Sequence, residues 1–299
     1  MKEATKLIHK YLRHDKKFPH VWCPGCGNGI LLGSLIRAID RTGLQKDEIV
    51  IVSGIGCSGR ISVYVDFNTL HTTHGRALTF ATGVKLANPA LNVIVIMGDG
   101  DATAIGGNHF IHAARRNLNL TAIVVNNNIY GMTGGQYSPT TPYGALATTA
   151  LYGNVEHAFS IAELAVMAGA GMVSRGTVYN ASLLDDLIEK AILKRGFAVV
   201  EAISHCHTQY GRRNKLGNAV DMLTWQKESA VRVEKAKTMS EEELKGKFTV
   251  GILADRDLPV YTREYRKVRE AAKARKTEDE GRKTEAEGQK QEDTSHDEF

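Results

Sequence analysis

NVIVIMGDGDATAIGGNHFIHAARRNLNLTAIVVNNNIYGMTGGQ, residues 92–136, is the stretch whose reading decides the fold. Asn92–Met97 is a short apolar run rich in β-branched residues, of buried-strand type, ending in Gly98-Asp99-Gly100. A helix-like segment follows, then a second β-rich run that ends in Asn126-Asn127-Asn128. This is a βαβ unit with a carboxylate at one strand's C-terminal end and carboxamides at the next. Parallel strands open both loops at one edge of the sheet, where α/β proteins bind ligands. Asp99 and Asn127 are therefore expected to face one another as hard oxygen ligands for Mg²⁺ holding a phosphate. Gly98 and Gly100 let the backbone approach that phosphate, and the next helix offers it N-terminal amides. A plain βα turn capped by Gly and Asp explains an isolated GDG equally well. The asparagines ending the next strand, with no helix signal after them, favour the ligand reading.

Outward from this unit, strands and helices alternate. Ile30–Ile39 reads as an amphipathic helix ending near Gly43, and Glu48–Ser53 as a buried strand leading into the loop GIGCSGR. HTTHGRALTFATGVKLANP reads as a loop feeding a helix closed by Pro89. Gly131–Pro142 is a polar, orderly loop of functional type. A helix over Ile161–Ala168, a strand near Met172–Val173, a helix over Leu183–Leu193 and a last strand, Phe197–Ile203, complete the pattern. The expected fold is α/β, a mainly parallel sheet with helices on both faces. Three regions are expected: a basic extension over 1–20, the α/β domain over 21–260, and a charged tail over 261–299 that is helical and then disordered.

The 299 residues are 42% hydrophobic and 24% charged with a net charge of +5, an ordinary globular balance. The charge is mild, and acidic residues interleave the basic ones of the tail, which argues against nucleic-acid binding. Neither a signal peptide nor a membrane-length apolar run is visible, so a cytoplasmic protein with no membrane partner is expected. In a reducing cytosol Cys23, Cys26, Cys57 and Cys206 are ligands rather than disulfides. Four thiolates suit either Zn²⁺ or a [4Fe–4S] cluster. CPGC has the look of a zinc knuckle, but a ribbon wants a second such pair, and the other two cysteines are single and far apart. His205 and His207 flank Cys206 as alternative ligands or loop histidines. GIGCSG matches a dinucleotide fingerprint only weakly, because RISVYVDFNTL after it lacks helical periodicity and the ribose-binding acid is missing. Its glycines are read instead as bringing Cys57 toward a cofactor. Arg60 beside it is a fork-shaped cation suited to a substrate carboxylate.

GDG followed by NN roughly 30 residues later resembles the thiamine diphosphate fingerprint. With CPGCGNG, GIGCSGR and the single Cys206, the chain from about Trp22 to Asp257 resembles the β subunits of the 2-oxoacid:ferredoxin oxidoreductases. NNNIYGMTGGQYSPTTP and HCHTQYGRRN also look like segments of that family. The resemblance implies the diphosphate-binding type of thiamine diphosphate fold. Asp99, Asn127 and the Ile129 carbonyl would hold Mg²⁺, and Cys23, Cys26, Cys57 and Cys206 a [4Fe–4S] cluster. Cofactor contacts are implied for Ile55, Gly56, Cys57 and Ser58 in one loop and His74 in the next. Gly98, Gly100 and Asp101 contribute from the third, and Gly131 and Met132 from the fourth. Met132 would lie under the thiazolium ring, and Arg60, His74 and Met132 would serve catalysis. Arg212 and Arg213 could meet a distal carboxylate or CoA phosphates, or simply lie on the surface.

The resemblance further implies CoA-dependent oxidative decarboxylation of a 2-oxoacid, with electrons passing to ferredoxin. An α subunit, with γ and δ subunits in some complexes, would supply the glutamate that activates the cofactor. The short chain and QYGRRN resemble the 2-oxoglutarate branch; pyruvate and branched 2-oxoacids stay open. Three readings compete: a cluster-free thiamine decarboxylase or synthase, a zinc-binding module, and a nucleic-acid-binding protein. The first leaves the cysteines unexplained, the second leaves GDG…NN unexplained, and the third rests on the tail alone.

Overall fold

Ile and Val alternate along the strands, and the alternation sorts them to two faces of one sheet. A computed structural model describes residues 3–15 and 19–295. Its strands are β1 (Ile49–Ser53), β2 (Asn68–His71), β3 (Asn92–Gly98), β4 (Leu120–Asn126), β5 (Ile129–Tyr130) and β6 (Gln136–Tyr137). They continue with β7 (Met172–Thr177), β8 (Phe197–Ile203), β9 (Ala230–Arg232) and β10 (Phe248–Asp255). Eight of them form a sheet in the order β2-β1-β3-β4-β8-β7-β10-β9, and β5 and β6 form a separate hairpin. Every pairing in the large sheet is parallel except β10 with β7.

Ile49, Ile51, Ile94, Ile96, Ile123 and Val125 face one way and pack on helices Gly27–Thr42 and Ala181–Leu193. Val50, Val52, Val93, Val95 and Val124 face the other way, against helices Ala77–Ala87, Gly107–Arg115 and Ile161–Met167. Both faces are thus covered, as the uninterrupted apolar runs require. The expected fold class stands. Helix Gly27–Thr42 ends where Gly43 turns left-handed at φ 71°, the C-terminal glycine signal read in the sequence.

Two strand readings need correction. Phe197–Ile203 is not the last strand, because β9 and β10 extend the sheet beyond β7. Neither has a clean apolar run: β10 keeps only Val250 and Gly251 buried, as a strand near the sheet's end can. In RISVYVDFNTL a short helical turn, Ile61–Tyr64, precedes β2, whose residues are half-buried or exposed. An edge strand carries little hydrophobic signal. The charged tail forms one helix, Tyr261–Ser295, where a helix giving way to disorder was expected; residues 296–299 lie outside the described ones. Its Glu264–Lys267 and Lys276–Glu280 pairs have helical spacing. Of the basic extension, Glu3–Tyr11 is helical.

Candidate functional site

Four loops meet at the C-terminal edge of β1, β3 and β4 and enclose a cavity of about 430 Å³. Ile55, Gly56, Cys57 and Ser58 line it from the first loop, His74 from the second, and Gly98, Asp99, Gly100 and Asp101 from the third. Asn127, Ile129, Tyr130, Gly131 and Met132 come from the fourth, so this set of expected residues shares one space.

Asp99 is 3% exposed, and its Oδ2 accepts hydrogen bonds from Ser138 (2.6 Å) and Thr140 (2.5 Å). Burial pushes its pKa up, and the groups that hold its charge against this are hydroxyls and amides. A buried carboxylate supported only by neutral donors is the setting in which a divalent cation fits. The three asparagines after β4 have three separate uses. Asn126 turns away and donates to buried Glu201 at 2.8 Å. Asn127 lines the cavity, its Oδ1 accepting from the Ile129 amide at 3.3 Å. Asn128 takes a left-handed φ of 61°, a conformation Asn tolerates better than most residues. That turn sends the chain back over the cavity while the Ile129 side chain is buried with Tyr210 and Met222.

Two glycines of these loops also make room for neighbouring side chains. A β-carbon on Gly100 would stand 2.2 Å from the Tyr130 ring, and Tyr130 donates its hydroxyl to the Gly100 carbonyl at 3.1 Å. Room at Gly100 is therefore taken by Tyr130. A β-carbon on Gly54 would meet Asp101 Oδ2 at 1.6 Å. Asp101, 2% exposed, also accepts from the Gly75 amide at 2.7 Å, so it braces three of the loops together. His74 Nδ1 lies 2.6 Å from Asp101 Oδ1, close enough to pair but out of line for a hydrogen bond. Met132 is 45% exposed and Ile55 39%, so Met132 is not a core methionine. Arg60 sits one turn past Cys57, half-buried and off the cavity wall. Arg212 is exposed and Arg213 half-buried, and neither lines the cavity.

Cys57 and Cys206 come together behind Gly131, and Cys23 and Cys26 lie near them. A β-carbon there would lie 3.3 Å from Cys206 Sγ and 3.7 Å from Cys57 Sγ. Thr208 Oγ1 is 3.6 Å from Cys23 Sγ and 3.7 Å from Cys206 Sγ. Asn28 Nδ2 donates to Cys26 Sγ at 3.4 Å, at the start of helix Gly27–Thr42. Burial first, and then the charges of Cys26, Cys206 and Cys23, push the Cys57 thiol up to about 12. Burial likewise raises Cys26. His205 Nε2 lies 2.7 Å from the Gly25 carbonyl and so donates to it, bracing the turn between Cys23 and Cys26. His207 packs against the same glycine.

Sequence reasoning missed Tyr130, Ser138 and Thr140. The Tyr130 phenol is pushed up to about 12 by burial and then by Asp99 and Asp101, so it stays a donor. Ser138 and Thr140 belong to the loop flagged as functional, and hydroxyl-rich SPTT was the available signal.

Residues 54–202 match the family described as thiamine pyrophosphate enzyme, C-terminal TPP binding domain. The chain is 49% identical to 2-oxoglutarate synthase subunit KorB of Methanocaldococcus jannaschii over 265 residues, 89% of this chain and 98% of that one. It is 60% identical to the KorB subunit of Archaeoglobus fulgidus over 198 residues, 66% of this chain and 73% of that one. A solved 2-oxoglutarate:ferredoxin oxidoreductase from Magnetococcus marinus, with 2-oxoglutarate, coenzyme A and succinyl-CoA bound, superposes with a TM-score of 0.79 at 33% identity, covering 89% of this chain and 90% of that one. Among the described residues no helix is long and apolar enough to cross a membrane. The chain belongs to the 2-oxoacid:ferredoxin oxidoreductase β subunits, in the branch of the 2-oxoglutarate synthase KorB proteins.

Proposed function

We propose that this chain, with a partner α subunit, converts 2-oxoglutarate and CoA to succinyl-CoA and CO₂. The two electrons released would go to ferredoxin, and Cys23, Cys26, Cys57 and Cys206 would hold the [4Fe–4S] cluster that supplies a one-electron outlet. One observation carries the reading: Gly131 lines the cofactor cavity and also touches the space of the Cys57 and Cys206 thiols. A cavity for a decarboxylating cofactor and an electron outlet are thereby one residue apart.

Thiamine diphosphate, when bound, supplies the electron sink for decarboxylation, and a cluster supplies the one-electron exit. Asp99, Asn127 and the Ile129 carbonyl would hold Mg²⁺ at the diphosphate end; the neutral donors around buried Asp99 support this. Tyr130 and Asp101 keep the surrounding loops in register. Met132 and His74 would contact the cofactor, and Arg60, one turn past Cys57, would take a substrate carboxylate. Cys23, Cys26, Cys57 and Cys206 would hold the cluster. A zinc ribbon wants a second closely spaced cysteine pair, whereas Cys57 and Cys206 are single and far apart in the sequence, which favours the cluster. The exposed Ile55 and Met132 support a mouth completed by another subunit.

The test is an anaerobic visible spectrum of the assembled complex with iron and sulfide assays, followed by turnover with 2-oxoglutarate and with pyruvate. Four irons per chain, bleaching with dithionite and preference for 2-oxoglutarate are expected. Colourless protein with stoichiometric zinc, or turnover by this chain without its partner, would overturn the reading.

A further inference from the structure

Ser53 ends β1 and His71 ends β2, and the parallel register sets them side by side. His71 Nδ1 lies 2.8 Å from Ser53 Oγ, and Ser53 Oγ lies 2.7 Å from Ser62 Oγ. Ser62 Oγ donates to the Gly59 carbonyl at 3.1 Å. Ser53 is fully buried and Ser62 is 2% exposed, so each proton in this chain must be accounted for. A hydroxyl has one proton to give. The distances allow two directions; in the one that also engages the Gly59 carbonyl, Ser62 donates to Gly59, Ser53 donates to Ser62 and His71 Nδ1–H donates to Ser53, leaving Nε2 with a lone pair.

We infer that this directed chain makes His71 the positioning residue of the Cys57–Arg60 turn. The inference rests on the reading above, in which Arg60 takes a substrate carboxylate. Gly59, the penultimate residue of that turn, fits between two walls. A β-carbon on it would stand 2.2 Å from the Gly54 carbonyl oxygen and 3.3 Å from His71 Cε1. The imidazole therefore packs on one side of Gly59 while the serine chain grips its carbonyl from within. Arg60 is the next residue, so the position of Gly59 sets where the Arg60 side chain starts. Burial and then the nearby Arg60 charge hold His71 below its usual pKa, against the pull of Asp101, in keeping with a neutral ring. Neutral His71 fits the proton count: it needs only the one donor at Nδ1.

The test uses the complex assembled with its partner subunit. His71→Ala is expected to raise the KM for 2-oxoglutarate about tenfold, with kcat within about threefold and the KM for CoA unmoved. His71→Asn keeps an N–H near the Nδ1 position and should return the KM to within about threefold of wild type. An unchanged KM in H71A, a KM in H71N as impaired as in H71A, or equal losses for 2-oxoglutarate and CoA would each overturn the role. Histidine-selective ¹⁵N labelling reads the chain without turnover: Nδ1 should carry the proton, and Ser53→Ala should shift it toward Nε2. An Nε2–H tautomer in the wild type sinks the inference. If Arg60→Ala leaves the KM for 2-oxoglutarate unaltered while the tautomer is as stated, the functional reading of Arg60 has failed and the hydrogen-bond chain has not.

Discussion

The two edges of the parallel sheet use the same kinds of residue in opposite ways. At the C-terminal edge the loops enclose about 430 Å³ around Asp99 and Asn127, and a second cavity of about 820 Å³ lies beyond Asn127. At the N-terminal edge the space beside Lys85 is about 10 Å³, at the lower limit for one water. Both edges bury a charge and an asparagine. Lys85, 3% exposed, donates to the Leu91 carbonyl just before β3. Asn117, 4% exposed, donates to the carbonyls of Leu258 and Pro259 at 3.2 Å each and accepts from the Phe197 amide at 2.7 Å. At one edge the main chain completes the polar groups. At the other, the carboxylate is held by neutral donors beside an open cavity. Buried charge meets only neutral partners at both edges, so it is the open space beside Asp99 that distinguishes the ligand-type edge.

Asp99→Asn should separate these roles most sharply. Affinity for Mg²⁺ with thiamine diphosphate is expected to fall at least about 100-fold, near 3 kcal/mol, because an anionic ligand is lost. Apo-protein stability should stay level or rise near pH 7. Burial raises the folded pKa of Asp99, so above the unfolded value the ionised carboxylate costs stability that Asn does not. Titration calorimetry beside thermal melts checks both halves. A marked fall in apo stability with unaltered cofactor affinity would place Asp99 among the braces instead.

Asn117→Ala should do the reverse. It removes a bond to each of two carbonyls and one from an amide, and puts Ala at φ 47°, where a β-carbon is strained. A loss of about 2 kcal/mol in urea unfolding, with cofactor affinity within about twofold, is expected. Cofactor binding that weakened as much as stability would mean the two edges are coupled through β4.

What the sequence made legible follows the same division. The Ile and Val runs of β3, β4 and β8 are buried on both faces, so composition alone announces them. Strand β2 was hidden because its residues are half-buried or exposed, and β9 and β10 because their burial is interrupted. Asp99, Asn127 and the four cysteines were legible because the family motifs they match restrict residue type and order. Tyr130, Ser138 and Thr140 were not. Each acts through a hydrogen bond to a group far away in sequence, and such a pairing leaves no periodicity to read. Asn117 escaped for the same reason: its partners lie 80 to 142 residues away.

Lys85 offers the smallest effect and the finest test of the comparison. Burial lowers its pKa from the usual 10.5. Between the folded and unfolded values the unfolded chain binds more protons, so stability from this group rises with pH through that window. Below the folded value its cost is constant, and above 10.5 it vanishes. Lys85→Met carries no charge, so it should be relatively most stable near neutral pH and lose that advantage as pH climbs toward 10.5, where the neutral amine still bonds Leu91. Chemical unfolding of both proteins between about pH 7 and pH 10.5 gives the difference directly and cancels the titration of shared groups. A flat difference would mean that Lys85 keeps its charge solvated despite its burial. Adding saturating Mg²⁺ and thiamine diphosphate should raise both curves equally, because the N-terminal edge has no part in holding them.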